Sequence, residues 1–207
     1  MRYQEKQRSQ KKMKVDVSIV KEIRDETAAS VIECKKALEE ANGDKEKALN
    51  ILKKRGMIIS QKKAGRETRE GLIGAYIHTN GKIGVLLEVN TESDFVARND
   101  EFKELVKNLA LQITASAPRW VDRESIPEEI LAQEREIFKE QYSNKPPAVI
   151  DKIIEGKMQD FYKANVLLEQ AFIKDENMTV REYIESKIAK LGENIKVKRF
   201  IKYEIGQ

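Results

Sequence analysis

The chain has 207 residues, of which 40% are hydrophobic and 36% charged, with 39 Lys and Arg against 35 Asp and Glu for a net charge of +4. That length and apolar content build a sizeable core under a densely charged surface, and so even a sign balance is unlike the lopsided charge of most nucleic-acid binders. Cys34 is the only cysteine and His78 the only histidine, which excludes an intrachain disulfide and leaves too few ligands for a Cys/His zinc site.

No stretch approaches the ~20 consecutive apolar residues of a membrane-spanning helix, and the expected location is cytoplasmic. Residues 1–14 are polar and basic (Arg2, Lys6, Arg8, Lys11, Lys12, Lys14) and carry no apolar segment of a secretory signal. They read either as a flexible tail or as an extension from an upstream start, since Met13 opens the first patterned segment.

Residues 15–56 read as three short helices. Asp16 is placed to cap the first, which carries Ile19, Val20 and Ile23 on one face, and a break follows at Glu26-Thr27-Ala28. The second presents Val31, Cys34, Ala37, Leu38 and Ala41, and Asn42-Gly43 suits a left-handed end to it. Asp44 caps the third, which carries Ala48, Leu49 and Leu52 and is expected to stop at Gly56. A bundle this small buries little surface, which suits a docking module. Residues 57–71, with Lys62, Lys63, Arg66 and Arg69, read as a basic, solvated connector.

From Leu72 the period changes to two. Ile73, Ala75 and Ile77 alternate, Asn80-Gly81 interrupts, and Ile83, Val85, Leu87 and Val89 alternate again, predicting a hairpin whose two turn residues both accept positive φ. Glu92 to Asp100 then leads into a helix that Asn99 can cap, with Phe102, Leu105, Val106, Leu109 and Ile113 as its apolar stripe and Pro118 at its end. Pro127 and the break at Asn144-Lys145-Pro146-Pro147 frame a helical hairpin over about 127–164. Leu167 to Ile173 reads as a strand, Thr179-x-x-Glu182 as a capping box opening a helix that Gly192 ends, and Ile195, Val197, Ile201, Tyr203 and Ile205 as an alternating final strand. The fold class is α+β: a three-helix module followed by a core, residues 72–207, with a small antiparallel or mixed sheet, packed helices and a helical hairpin.

Phe95 stands apart from these stripes, between a strand and a helix. Pattern alone allows it to fold back as a staple beneath its own helix or to serve as an aromatic anchor at an interface. The run Glu92-Ser93-Asp94-Phe95-Val96-Ala97-Arg98-Asn99 resembles the signature T-D-F-V-A-[RK]-N of the elongation factor Ts family. Cys34-Lys35-Lys36-Ala37-Leu38 and Ala41-Asn42-Gly43-Asp44 resemble that family's N-terminal module, which is similar to ubiquitin-associated domains. Lys63-Ala64-Gly65-Arg66 with Glu70-Gly71 resembles its connector, and Gly192-Glu193-Asn194-Ile195 with Arg199-Phe200 its closing strand region. Together the matches span roughly residues 15 to 206 in the family's order. Ser93 stands where the family has threonine and keeps the hydroxyl, while Ala28-Ala29-Ser30 replaces a glycine-containing turn. A second copy of the hairpin and signature is not found, as in the family's short form.

The resemblance implies a nucleotide exchange factor without chemistry of its own, needing no catalytic residue, metal or cofactor. Its implied partner is elongation factor Tu, GDP-bound and nucleotide-free, with no direct nucleic-acid or membrane contact; a homodimer through the core is left open. It assigns partner binding and exchange to Ser93, Asp94, Phe95, Val96, Ala97, Arg98 and Asn99. Phe95 would act as a wedge between partner helices, and Asp94 would disturb the partner's Mg²⁺ site. The residues also permit an RNA- or ribosome-binding accessory protein using the basic tail and connector, an enzyme using Asp94, Asp100 and Glu101, and an adaptor built on the helical module.

Overall fold

The computed structural model describes residues 16–27 and 29–206, without the side chains of residues 147 and 148. The predicted basic tail, residues 1–14, and Ala28 lie outside the described residues. Three helices come first, α1 (Val17–Thr27), α2 (Val31–Glu40) and α3 (Lys45–Lys63). Ser30 caps α2 through a reciprocal box with Glu33, and Asp44 accepts from Lys47 N to cap α3. Between them Asn42 and Gly43 take φ of 51° and 84°, the left-handed turn expected after α2. Ile23, Cys34, Ala37, Leu38 and Ala48 form the centre of this module's core.

α3 does not stop at Gly56. It runs on to Lys63, so the exposed basic connector shrinks to the stretch between α3 and the first strand. A mid-helix glycine costs about 1 kcal/mol, and packing of the second half of α3 along a later helix, α8 (Val180–Leu191), outweighs it.

Three antiparallel strands, β1 (Glu70–Ile77), β2 (Ile83–Thr91) and β5 (Ile195–Glu204), form the sheet in the order β1-β2-β5. The β1–β2 turn is longer than the predicted two-residue turn: Ile77 pairs with Gly84, His78 N donates to Ile83 O, and of the turn residues only Gly81 takes positive φ. After β2 come α4 (Asp94–Ala97) and α5 (Asp100–Ser116), and α5 and α8 close one face of the sheet over Val85, Leu87, Val89, Phe102, Leu105, Leu109, Ile113 and Ile184.

The helical hairpin is α6 (Glu128–Gln141) and α7 (Pro147–Asn165), gathered around a small cluster of Ile126, Met158, Phe161, Tyr162 and Val166. The predicted strand at Leu167–Ile173 is instead a 3-10 turn (Leu167–Glu169) and a two-residue strand, β3 (Ala171–Phe172), paired with β4 (Asp175–Thr179). Its backbone is claimed by other partners: Leu167 N and Leu168 N donate to Trp120 and Val121 carbonyls, and buried Gln112 donates to Ala171 O and accepts from Ile173 N. Thr179 and Glu182 form the predicted capping box of α8, and Gly192 ends it at φ 78°.

β5 is one strand but not one face. Glu88 pairs with Arg199 and Val89 with Val197, so Lys198 is an extra residue and the side-chain alternation reverses there. Ile195, Val197 and Phe200 face the helices, whereas Ile201, Tyr203 and Ile205 face the other way and are exposed.

Candidate partner-binding loop

β2 delivers the chain to its C-terminal end with Thr91 fully buried, and the chain then turns through Glu92 and Ser93 into the single-turn helix α4. Ser93 is its N-cap, with Oγ accepting from Val96 N at 3.4 Å. Asn99 N donates to Val96 O, and the Asn99 side chain accepts from Glu101 N at 2.8 Å to open α5. Two caps six residues apart therefore hold a short projecting turn between a rigid strand and a rigid helix.

The turn divides its side chains by face. Val96 and Ala97 are 6% and 4% exposed and root it in the main core. Asp94 and Arg98 lie outside as an i,i+4 ion pair at 2.8 Å. Phe95 is 79% exposed, so it is not a staple folded under its own helix. Of the seven residues singled out from the sequence, Asp94, Phe95 and Arg98 form the accessible tip. Ser93, Val96, Ala97 and Asn99 hold it in place. Asp100 and Glu101, weighed as enzyme carboxylates, are spread apart: Asp100 pairs with Lys103, while Glu101 reaches Lys187 at 2.7 Å and Lys190 at 2.5 Å.

Beneath the loop lies a support that the sequence reading left without a role. The Glu193 carboxylate accepts from Thr91 Oγ1 at 2.9 Å, Ser93 N at 3.0 Å and Ser93 Oγ at 2.6 Å. Burial would push this carboxyl up, but the donors from Ser93 and Thr91 outweigh it and hold it below its ordinary value, so it is charged at neutral pH. In the opposite sense Glu92 Oε1 accepts from Asn194 N at 2.6 Å, and Asn194 Nδ2 donates to the Arg66 carbonyl at 2.9 Å. The signature, the α8–β5 turn and the connector, far apart in the sequence, interlock here. The signal available was the match of Gly192-Glu193-Asn194 to the family's closing strand region.

Two further surfaces carry exposed apolar side chains. On the N-terminal module these are Val17, Val31 and Ile32. On the outer face of the sheet, away from the helices, Ile73, Ile77, Leu86, Ile201, Tyr203 and Ile205 are all exposed.

The family model described as "Elongation factor TS" matches residues 9–207. A protein named Elongation factor Ts from Fervidobacterium nodosum is 54% identical over 197 residues, covering 94% of this chain and all of that protein. Its namesake from Coprothermobacter proteolyticus is also 54% identical, with the same coverage. The Elongation factor Ts of Moorella thermoacetica is 54% identical over 190 residues, covering 91% of this chain and 94% of that one.

Proposed function

The chain belongs to the elongation factor Ts family, and from that premise we propose that it binds elongation factor Tu and drives GDP off it without making or breaking a bond. The observation that carries this reading is the bare ring of Phe95, held on a turn whose neighbours Val96 and Ala97 are sunk in the core. A lone exposed apolar side chain is ordinary on a surface. An aromatic ring held out on a turn rooted in the core, however, is preorganised for a partner pocket, and aromatics buried in that way dominate binding energy.

In the proposed mechanism the N-terminal module docks on the nucleotide-binding domain of the partner, with Val17, Val31 and Ile32 as its apolar contacts. The 94–98 tip then enters beside the nucleotide site. Phe95 wedges between partner helices, and Asp94 is released from Arg98 to act on the elements that order Mg²⁺. GDP is held by phosphate contacts to backbone N–H groups and by the ion's charge, so displacing the ion removes a large favourable term. A protein that prefers the empty partner weakens GDP binding by the same factor. The chain itself needs no nucleophile or general base for this, and we assign it no enzymatic activity.

The test is release of fluorescent GDP from elongation factor Tu on adding the chain. Phe95→Ala is expected to lower the maximal release rate about tenfold or more. The same rate from both proteins would sink the wedge. An inactive wild-type chain would sink the exchange reading altogether.

We further propose that the outer sheet face pairs with a second copy of the chain. Its middle rows set Ala75, Leu86 and Ile201 side by side, then Ile77, Gly84 and Tyr203, with no charge among them. The charged pair in the row beyond, Glu88 and Arg199 at 2.8 Å, marks the edge. A flat apolar patch bounded by charge on a small domain is self-complementary about a two-fold axis.

A further inference from the structure

Ser93 has one hydroxyl proton and two demands on its oxygen. It must accept from Val96 N to cap α4, and it lies 2.6 Å from Glu193 Oε1. A carboxylate without a proton can only accept, so the Ser93 proton points at Glu193 and the lone pairs are left facing Val96 N. The second oxygen, Oε2, takes the Ser93 backbone N–H and the Thr91 hydroxyl, fixing the two residues on either side of Glu92. Glu193 sits in the turn between α8 and β5, and its neighbours Asn194 and Ile195 are buried. The carboxylate is thus anchored in the core and grips the base of the exposed tip.

We propose that Glu193 is a positioning residue for nucleotide exchange, setting the angle at which α4 presents Phe95, without touching the partner. This rests on the exchange reading above. The geometry has two parts. Glu193 polarises the capping hydroxyl, and it ties both ends of the Thr91–Ser93 bend to one rigid group. A one-turn helix has too few internal hydrogen bonds to keep its own direction. Burial of Val96 and Ala97 roots it in the core, and the grip at its base completes the setting of Phe95. Asn194 and Glu92 repeat the grip in the reverse sense, which closes the bend from both sides.

Replacing Glu193 by Gln is close to isosteric but offers an amide donor where one carboxylate oxygen stood. Whichever way the amide turns, either Ser93 Oγ or the Ser93 N–H and Thr91 pair loses an acceptor. The expected result in the fluorescent-GDP assay is a maximal rate about tenfold below wild type, the scale of losing a charged hydrogen-bond acceptor, while the concentration for half-maximal rate stays within about twofold. The double variant Phe95→Ala/Glu193→Gln should be no slower than Phe95→Ala alone, since Glu193 acts through the ring.

A Glu193→Gln rate equal to wild type, an effect confined to the half-maximal concentration, or additive losses in the double variant would each overturn the proposal. These outcomes leave the exchange reading intact as long as wild type is active and Phe95→Ala is impaired. Should Glu193→Gln melt below the assay temperature, Thr91→Val and Ser93→Ala, which each remove donors from the same carboxylate, are read by the same criteria.

Discussion

Lys53 of α3 meets Glu182 of α8 at 2.8 Å, and further along the same two helices Lys63 Nζ donates to the Gly192 carbonyl at 2.5 Å. The contacts occur in the same order on both helices, so α3 and α8 lie side by side and parallel, tied at points roughly 15 Å apart by the helical rise. Ser60, between them on α3, is buried. α3 therefore serves two packing units. Its first half supplies Ala48 and Leu52 to the N-terminal cluster, and its second half lies on the core. In the proposed exchange complex this shared helix fixes the distance from docking module to Phe95 tip, which a flexible connector would leave free.

Gly56 lies in the middle of that shared helix, and a Cβ built on it meets nothing within 4 Å. Gly56→Ala is expected to stabilise the protein by about 0.5–1 kcal/mol, because alanine loses less backbone freedom on entering a helix. Thermal unfolding checks it: an increase of a few degrees, on the scale of about 2–4 °C per kcal/mol for a chain this size, is expected. A fall would mean that the helix needs a hinge there.

Gly74 marks the opposite case. It sits on β1 under α5, where a Cβ would lie 2.7 Å from Leu87 Cδ2 and closer still to Val106 Cγ1. A β-branched residue in a helix has one strongly preferred rotamer, so Val106 cannot easily turn aside. Gly74→Ala should therefore destabilise by about 1–3 kcal/mol as α5 is pushed off the sheet, read as a lower denaturant midpoint. Unchanged stability would show that α5 has room to shift.

The elements whose residues carry their own instructions were legible in the sequence. The Asp44, Asn99 and Thr179 side-chain caps, the α5 stripe and the Asn42-Gly43 turn all occur where local chemistry places them. What was not legible depends on distant partners. Gly56 reads as a stop until α8 is known to lie alongside, and the 167–173 segment reads as a strand until Gln112 is known to take its backbone. Lys198 gives no local sign of a bulge, so Ile201, Tyr203 and Ile205 read as continuing the face of Ile195 and Val197. Around the candidate site, the exposure of Phe95 was one of two readings that pattern allowed. The Glu193 grip needed the fold to bring residue 193 to residue 93.

Glu101 predicts a specific pH dependence. The Lys187 ammonium, with Lys190 beside it, holds its carboxyl down to about 2, against an ordinary 4.5. The folded value lies below the unfolded one, so the stabilisation is fully present above about pH 4.5 and is lost as pH falls towards about 2. The site is partly open to solvent, which limits its worth to about 1 kcal/mol. Glu101→Gln should be less stable than wild type by up to that amount at neutral pH, and the difference should close in denaturant titrations below about pH 2.5. A gap that persisted in acid would mean that packing, rather than charge, is what Glu101 supplies.

The outer face of the sheet yields the last prediction, and the bulge at Lys198 is its cause. Without the extra residue, Ile201, Tyr203 and Ile205 would point into the core with Val197; with it, they join Ile73, Ile77 and Leu86 on a face that no helix of the described residues covers. Ile77 alone is 68% exposed. Singly, such side chains are ordinary on a surface, but six on one flat face form a patch that a monomer rarely tolerates. Pairing two copies face to face would bury all of them at once and stack two sheets about 10 Å apart, as in a β-sandwich. Ile201→Lys sits in the middle row between Leu86 and open solvent, and in a two-fold pair it would bring two ammonium groups into an apolar contact with no counter-charge. Sedimentation equilibrium should show wild type as a dimer at micromolar concentration and Ile201→Lys as a monomer with an unchanged far-UV spectrum. A wild-type chain that stays monomeric as concentration is raised would reject this use of the face, and then Ile201→Lys should only improve its solubility.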